Sequence, residues 1–186
     1  KRLRERSIPL FAVECRRPLF AFDVVGFSLS YELGATNILE MLNLSQIPLY
    51  SKDRNDFPIN HPHSPPLIFA GGPTATSNPE PYAAFFDFFA LGDGEELLPE
   101  IGLVVAEGKE AGLSRADLLS DLSEIPGVYV PSHFKSRLNN ASIEPIKACT
   151  NKRILRRVAS PIPHYGMGLV PNIETIHDRL TIEIRR

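Results

Sequence analysis

The sequence has little cysteine, with only Cys15 and Cys149 in a chain of 186 residues. Neither lies in a Cys-x-x-Cys pair or another short metal-ligand spacing, so the sequence gives no sign of a cysteine-based metal site. A [4Fe–4S] cluster needs about three or four thiolate ligands, so we expect this chain alone to hold none. The scarcity of cysteine favours a reduced, cytoplasmic compartment.

Long apolar runs and an excess of one charge are also missing. No run approaches the roughly 18–20 residues of a membrane-spanning helix, and no signal-type apolar stretch follows the basic start of the chain. The chain carries 20 Lys and Arg against 22 Asp and Glu. Nucleic-acid binding normally needs a basic excess on one face, so we expect neither nucleic acid nor a membrane as a partner. We interpret the basic clusters at residues 1–6, 16–17 and 152–157 as solvated edges.

Apolar residues make up 43% of the chain, which is enough for one substantial core. Short runs rich in Val, Ile and Phe alternate with helix-like segments, a pattern typical of βα units around a mainly parallel sheet. The predicted fold class is α/β, Rossmann-like or flavodoxin-like, with helices flanking the sheet. The predicted strands are residues 8–13, 23–30, 67–70, 87–91, 127–130 and 143–146, and the predicted helices are 36–44, 79–86, 97–105 and 114–122.

Three of these strands, those beginning at residues 23, 67 and 87, are each followed by a helical pattern. Because such crossovers are nearly always right-handed, we expect these strands to lie adjacent and parallel. The first of them reads as a strand buried on both faces. Residues 51–66 contain four prolines and are predicted to be an exposed connection, and residues 131–142 a polar loop.

Two glycine-rich turns, Gly71-Gly72-Pro73 and Gly92-Asp93-Gly94, end two of the predicted parallel strands. Open α/β sheets bind ligands at this edge, and glycine lets a backbone approach a ligand closely. For either glycine group taken alone, a tight turn without a ligand is the simpler explanation. Asp93 with Glu96 is further interpreted as a capping box for the next helix.

Three other motifs are incomplete. The run GDGEEL places Leu97 where a dinucleotide fingerprint needs glycine, and GFSLS has Ser30 in place of the final glycine of a nucleophile elbow. His61 and His63 have no third metal ligand nearby in the sequence. We therefore predict no catalytic residue and no metal site in this chain.

Three segments in order, FDVVGFSLSYE, PLIFAGGPTATSNPEP and FFDFFALGDGEELLPEI, resemble the cobalamin-binding-like domain that precedes the barrel of radical S-adenosylmethionine (SAM) proteins. That family shows D-h-V-G-h-S (h, apolar), then GGP-x-A-T-x-x-P-E, then D-x-h-h-x-G-x-G-E. These patterns fall here on residues 23–28, 71–80 and 87–95. Residues 177–186 are similar to the first barrel strand, which in the family precedes a C-x-x-x-C-x-x-C motif that is absent here.

The resemblance implies a cobalamin-binding-like domain at residues 1–124, a short β excursion and linker at 125–172, and the truncated start of a radical SAM barrel at 173–186. It implies that the domain covers the barrel of the same polypeptide and holds a corrinoid there. The [4Fe–4S] cluster and SAM would belong to the parent enzyme only, and the fragment itself is not expected to be active. The residues implied for corrinoid contact are Ser28, Ser30, Gly71, Gly72, Pro73, Thr74, Gly92, Asp93, Gly94 and Glu95.

One departure from the wider cobalamin pattern is that no histidine stands in a D-x-H-x-x-G setting. Two alternatives to a corrinoid-binding domain therefore stay open. One is a cofactor-free structural cap or docking module of the same protein, and the other is an unrelated flavodoxin-like domain for a small ligand.

Overall fold

A four-stranded sheet forms the centre of the domain in the computed structural model, which describes residues 2–54, 57–139, 142–147 and 154–160. The strands of the sheet are β1 (Val24–Ser28), β2 (Leu67–Gly71), β3 (Phe88–Ala90) and β4 (Val128–Tyr129). The helices are α1 (Arg2–Glu5), α2 (Ala35–Leu44), α3 (Pro73–Ser77), α4 (Gly94–Ala111) and α5 (Arg115–Ser123). Strands β5 (Phe134–Asn139) and β6 (Ser142–Lys147) form a separate antiparallel hairpin. Single 3-10 turns lie at Leu19–Ala21, Glu32–Gly34, Ser51–Asp53, Glu80–Tyr82 and Pro131–His133.

The sheet has the order β1-β2-β3-β4, with β1, β2 and β3 parallel and β4 antiparallel to β3. Val24 lies opposite Leu67, and Phe69 lies opposite Phe88. The prediction that these three strands are adjacent and parallel is confirmed, as is the α/β class. Because the three strands run in one direction, their carboxyl ends meet at one edge of the sheet.

The sheet separates two apolar cores, since successive residues of a strand point to opposite faces. On one face, Leu67 belongs to the same buried cluster as Leu97 of α4 and Leu118 of α5. On the other face, its neighbour Ile68 belongs to a cluster with Leu42 of α2. All five side chains are 0% exposed. Burial of each is worth about 1.5–3 kcal/mol, so both helix layers are held firmly against the sheet.

The prediction that β1 is buried on both faces is wrong. Gly26 and Ser28 are exposed, and Val24, Val25 and Phe27 are only half-buried. The reason is that β1 is the end strand of the sheet, and no strand in the described part of the chain pairs with its outer edge. An apolar run predicts a strand, but it does not specify the place of that strand in the sheet.

Several local predictions also fail. Residues 8–13 form no strand, because Phe11 makes only an isolated bridge to Pro18. The helix predicted at 79–86 is reduced to the 3-10 turn Glu80–Tyr82, since α3 begins earlier. The predicted polar loop contains β5, and the connection at 51–66 is not wholly exposed because Arg54 and Ser64 are buried.

None of the helices in the described ranges is both long enough and apolar enough to cross a membrane. The predicted start of a barrel, residues 173–186, lies outside the described residues. The same holds for the predicted linker beyond residue 160.

Candidate functional site

The carboxyl ends of β1, β2 and β3 border a cavity of about 400 Å³, here called the glycine cavity. Its lining consists of Gly26, Phe27, Ser28, Phe69, Gly71, Gly72, Ala90, Gly92, Gly94 and Leu98. Half of these residues are glycines, so backbone rather than side chains forms much of the wall. The structure thereby places five of the residues predicted to contact a ligand around one space at the expected edge of the sheet.

The floor of the glycine cavity depends on Gly71 and Gly72. Gly72 has φ +96° and ψ 178°, a conformation that L side chains rarely adopt. A Cβ atom there would lie 3.1 Å from both the Leu29 carbonyl oxygen and the Ser28 hydroxyl. A Cβ atom at Gly71 would lie 3.2 Å from the Ala90 carbonyl oxygen. The two glycines therefore allow the turn after β2 to pack closely against the ends of β1 and β3.

Hydroxyl groups tie the turns around this cavity together. The Ser28 and Ser30 hydroxyls lie 3.1 Å apart, and the Thr74 amide donates to the Leu29 carbonyl at 2.9 Å. The Gly92 amide donates to the Thr76 hydroxyl at 3.1 Å, which joins α3 to the turn after β3. Neither Ser30 nor Thr74 lines the glycine cavity, although both were predicted to contact a ligand.

A second cavity of about 560 Å³, the turn cavity, adjoins the first and shares Gly72, Gly92 and Gly94 with it. Its other lining residues are Pro73, Thr76, Ser77, Asp93, Glu95 and Arg156. Both charge signs occur in this lining, since Asp93 and Glu95 are acidic and Arg156 is basic. The turn cavity thus offers a polar rim beside a largely apolar, glycine-walled space.

The predicted capping box at the start of α4 is not formed. Asp93 is the N-cap residue, but its side chain makes no capping hydrogen bond and instead accepts from the Ala159 amide at 3.0 Å. Glu96 accepts from the Ser160 amide at 3.3 Å. The hydrogen bond from Ser160 and the ion pair with Arg157 lower the pKa of Glu96. These acids hold a segment that is distant in sequence.

That segment, residues 154–160, is called the linker segment below, and its role was missed by reasoning from the sequence. The prediction that the basic run at 152–157 is a solvated edge is wrong for Arg157. Its guanidinium lies 3.2 Å from Glu96 and 2.5 Å from Glu100, and its side chain is only 22% exposed. The one available signal was charge complementarity between this run and the acidic start of α4.

A larger groove of about 950 Å³ runs between the edge strand β1 and helix α4. Its amino end carries an ion pair between Asp23 and Lys109 at 2.7 Å, with both side chains nearly half exposed. Phe69 and Leu98 line both this groove and the glycine cavity. No residue predicted to contact a ligand lines the groove, so the glycine cavity remains the better candidate site.

The described histidines, His61, His63 and His133, do not line the glycine cavity or the turn cavity. His61 stacks on Phe57 with ring centroids 4.3 Å apart, and the His63 ring lies 5.7 Å away. Burial lowers the pKa of His133. Within the described ranges there is no group of three or more His, Cys, Asp or Glu side chains that could hold a metal ion.

Comparison with known families gives one match, to the model described as "Radical SAM proteins, N-terminal", over residues 1–131. The matched range contains all of β1 to β4, both glycine turns and every residue predicted to contact a ligand. Neither the curated proteins nor the solved structures include a match to the chain.

Proposed function

Because the chain belongs to the family of N-terminal domains of radical SAM proteins, we propose that it is an accessory domain that holds a corrinoid in the glycine cavity. Membership in this family implies a radical SAM domain downstream, with an iron–sulfur cluster and SAM in the parent protein. We propose that this domain lies against the downstream radical SAM domain of the same polypeptide.

The observation that carries this proposal is the glycine-walled space at the carboxyl edge. A flat ring system needs close approach to backbone, and half of the residues that line the glycine cavity, Gly71 and Gly72 among them, carry no side chain. Ligand sites usually span roughly 300–1,000 Å³. The glycine cavity and the turn cavity share Gly72, Gly92 and Gly94 in their linings, so we place different parts of one large ligand in these two neighbouring spaces.

The residues that line the glycine cavity have different proposed roles in binding the corrinoid. Gly71 and Gly72 would lie against the ring, the Ser28 hydroxyl would offer a hydrogen bond, and Phe27 and Leu98 would exclude water. A bound corrinoid supplies methyl-transfer chemistry, while the protein contributes position and a dry environment. Among the described residues, no histidine lines either cavity, so the proposal names no protein ligand to the cobalt.

The test compares two leucine substitutions in helix α4. Gly94 lines both cavities, and a Cβ atom there would meet only the flexible Leu98 side chain, at 3.3 Å and 3.5 Å. Gly94→Leu should therefore fill the space while leaving α4 folded. Gly102→Leu is the matched control, since nothing lies within 4 Å of a Cβ atom at Gly102. Gly72→Leu is a poorer test, because the positive φ would strain the turn whatever the space.

Hydroxocobalamin is titrated into the wild-type protein and both variants, with binding followed in the visible spectrum and folding by circular dichroism. We expect saturable binding by the wild type, at least about tenfold weaker binding by Gly94→Leu, and unchanged binding by Gly102→Leu. Gly102 lines the groove beside β1, so loss of hydroxocobalamin binding in Gly102→Leu alone would place the ligand in that groove. No binding by the folded wild type would contradict the corrinoid proposal.

A second candidate is a cofactor-free cap that docks on the downstream domain. It is favoured by one observation, namely that Asp93 and Glu96 at the start of α4 already hold the linker segment. In this alternative the glycine turn after β3 serves backbone packing rather than a ligand. Failure of hydroxocobalamin to bind would support it.

A further inference from the structure

The linker segment docks on the turn after β3 through its backbone. The Arg157 amide donates to the Leu91 carbonyl at 2.8 Å, and the Asp93 amide donates to the Arg157 carbonyl at 3.1 Å. Together they form a parallel bridge between Gly92 and Arg157. Arg157 thus extends the sheet edge by one residue, directly beside the two carboxyl-edge cavities.

Two glycines make the seat for Arg157. A Cβ atom at Gly92 would lie within 2.9 Å of the carbonyl carbon of Arg157 and even nearer to its nitrogen and oxygen. A Cβ atom at Gly127 would lie 3.0 Å from the Arg157 Cβ and 3.1 Å from the Leu91 carbonyl oxygen. The close approach of the linker segment therefore accounts for glycine at both positions without any ligand.

The remaining contacts of the linker segment are mostly polar and near the surface. Arg157 pairs with Glu96 and Glu100, whose side chains are 42% and 39% exposed. Of the apolar residues, Ile154 packs against a core cluster, whereas Leu155 and Val158 are 59% and 65% exposed. Exposed ion pairs and single hydrogen bonds contribute far less than core burial. The attachment is thus much weaker than that between the sheet and its helices.

We propose that residues 154–160 form a detachable latch, with Arg157 as its anchor, that releases from the Gly92–Glu96 turn without unfolding the sheet. Release withdraws Arg156 from the rim of the turn cavity. The latch therefore controls access to the turn cavity. This inference does not depend on the corrinoid proposal, because it concerns only contacts within the chain.

Hydrogen exchange followed by mass spectrometry tests the latch in the protein without ligand. In the wild type we expect amides 157–160 to be protected, but to exchange at least about a hundredfold faster than amides 88–90 of β3, because they open locally. Arg157→Ala should speed exchange at 157–160 by at least about tenfold and leave β3 unchanged. Arg156→Ala removes the same charge from the neighbouring residue, so it is the matched control and should change neither region.

Three outcomes would overturn the proposal. Equal protection of 157–160 and β3 would make the segment an integral part of the core, and no protection in the wild type would mean that it does not dock. Equal effects of the two arginine substitutions would show that the ion pairs of Arg157 do not anchor it. Each outcome is read without a ligand, so none is confused with failure of corrinoid binding.

Discussion

A buried charge cluster at the amino end of the sheet offers a sharp test of the packing described here. One carboxylate oxygen of Asp87 accepts from Arg54 at 3.0 Å, from Arg115 at 2.7 Å and from the Ile68 amide at 2.6 Å. The Asp87 side chain is 2% exposed, and the arginine side chains are 0% and 6% exposed. Asp87→Asn would remove the carboxylate that both buried guanidinium groups contact.

The size of the effect follows from the burial of all three groups. Burial and the neighbouring Arg115 both lower the pKa of Arg54, and Asp87 opposes them. Removing one partner of a buried ion pair typically costs about 3–5 kcal/mol, because the other charge is left uncompensated. A domain is usually stable by about 5–15 kcal/mol in total. We therefore expect Asp87→Asn to lose a large fraction of the free energy of unfolding.

The matched control is Asp23→Asn, since Asp23 and Asp87 both follow a phenylalanine and precede a parallel strand. Asp23 pairs with Lys109 at 2.7 Å, but the two side chains are 46% and 44% exposed, so the loss should be at most about 1 kcal/mol. Urea unfolding followed by far-ultraviolet circular dichroism measures both variants. Similar losses for the two substitutions, or a loss below about 1 kcal/mol for Asp87→Asn, would refute the reasoning.

Two further predictions concern Tyr129 and Gly26. Burial and the hydrogen bond to Glu80 raise the pKa of Tyr129. The stability that the protonated Tyr129 hydroxyl contributes is therefore complete below the ordinary tyrosine pKa of about 10, and it is lost as the pH rises from there through the raised pKa. Tyr129→Phe should cost about 1 kcal/mol of unfolding free energy at neutral pH and should make the fall of that free energy at alkaline pH shallower. Urea unfolding from neutral to alkaline pH measures both effects. An unchanged pH profile would contradict the prediction. Gly26→Ala should cost about 1–3 kcal/mol, because the new Cβ would lie 2.5 Å from the Phe69 ring. Gly34→Ala, with nothing within 4 Å of the new Cβ, should stay within about 0.5 kcal/mol by the same assay, and equal losses would show that the Phe69 ring yields freely.

The parallel strands could be predicted because the information for them is local. Each is a short apolar run followed by a helical pattern, and right-handed crossovers then leave few arrangements. How deeply a strand is buried in the sheet cannot be predicted from its local sequence. Asp23 and Asp87 stand in the same short motif, yet one is half exposed at the edge strand and the other is buried beneath α5. The sequence does not distinguish them because their burial depends on which strands lie on either side.

The start of α3 shows a different limit. Asn78 and Pro79 carry the standard signals of a helix start, and Asn78 does accept from the Glu80 amide at 3.2 Å. That signal begins only a 3-10 turn, because the chain has already entered a helix at Pro73. Gly72 makes this possible, since its positive φ turns the chain immediately after β2. The sequence thus contains two possible helix starts, at Pro73 and at Pro79, and the conformation of Gly72 favours the first.

The two acids at the start of α4 show that a local sequence pattern can be used for a distant contact. The spacing of Asp93 and Glu96 matches a capping box, and both residues do stand at the start of α4. Their carboxylates are nevertheless used by Ala159, Ser160 and Arg157, more than 60 residues away in sequence. A capping pattern reports only that acids are favoured at a helix start, where the macrodipole stabilises them. It cannot report which amide groups those acids accept from. The glycine turn after β2 therefore remains the stronger part of the proposed ligand site, and the turn after β3 is primarily the seat of the linker segment.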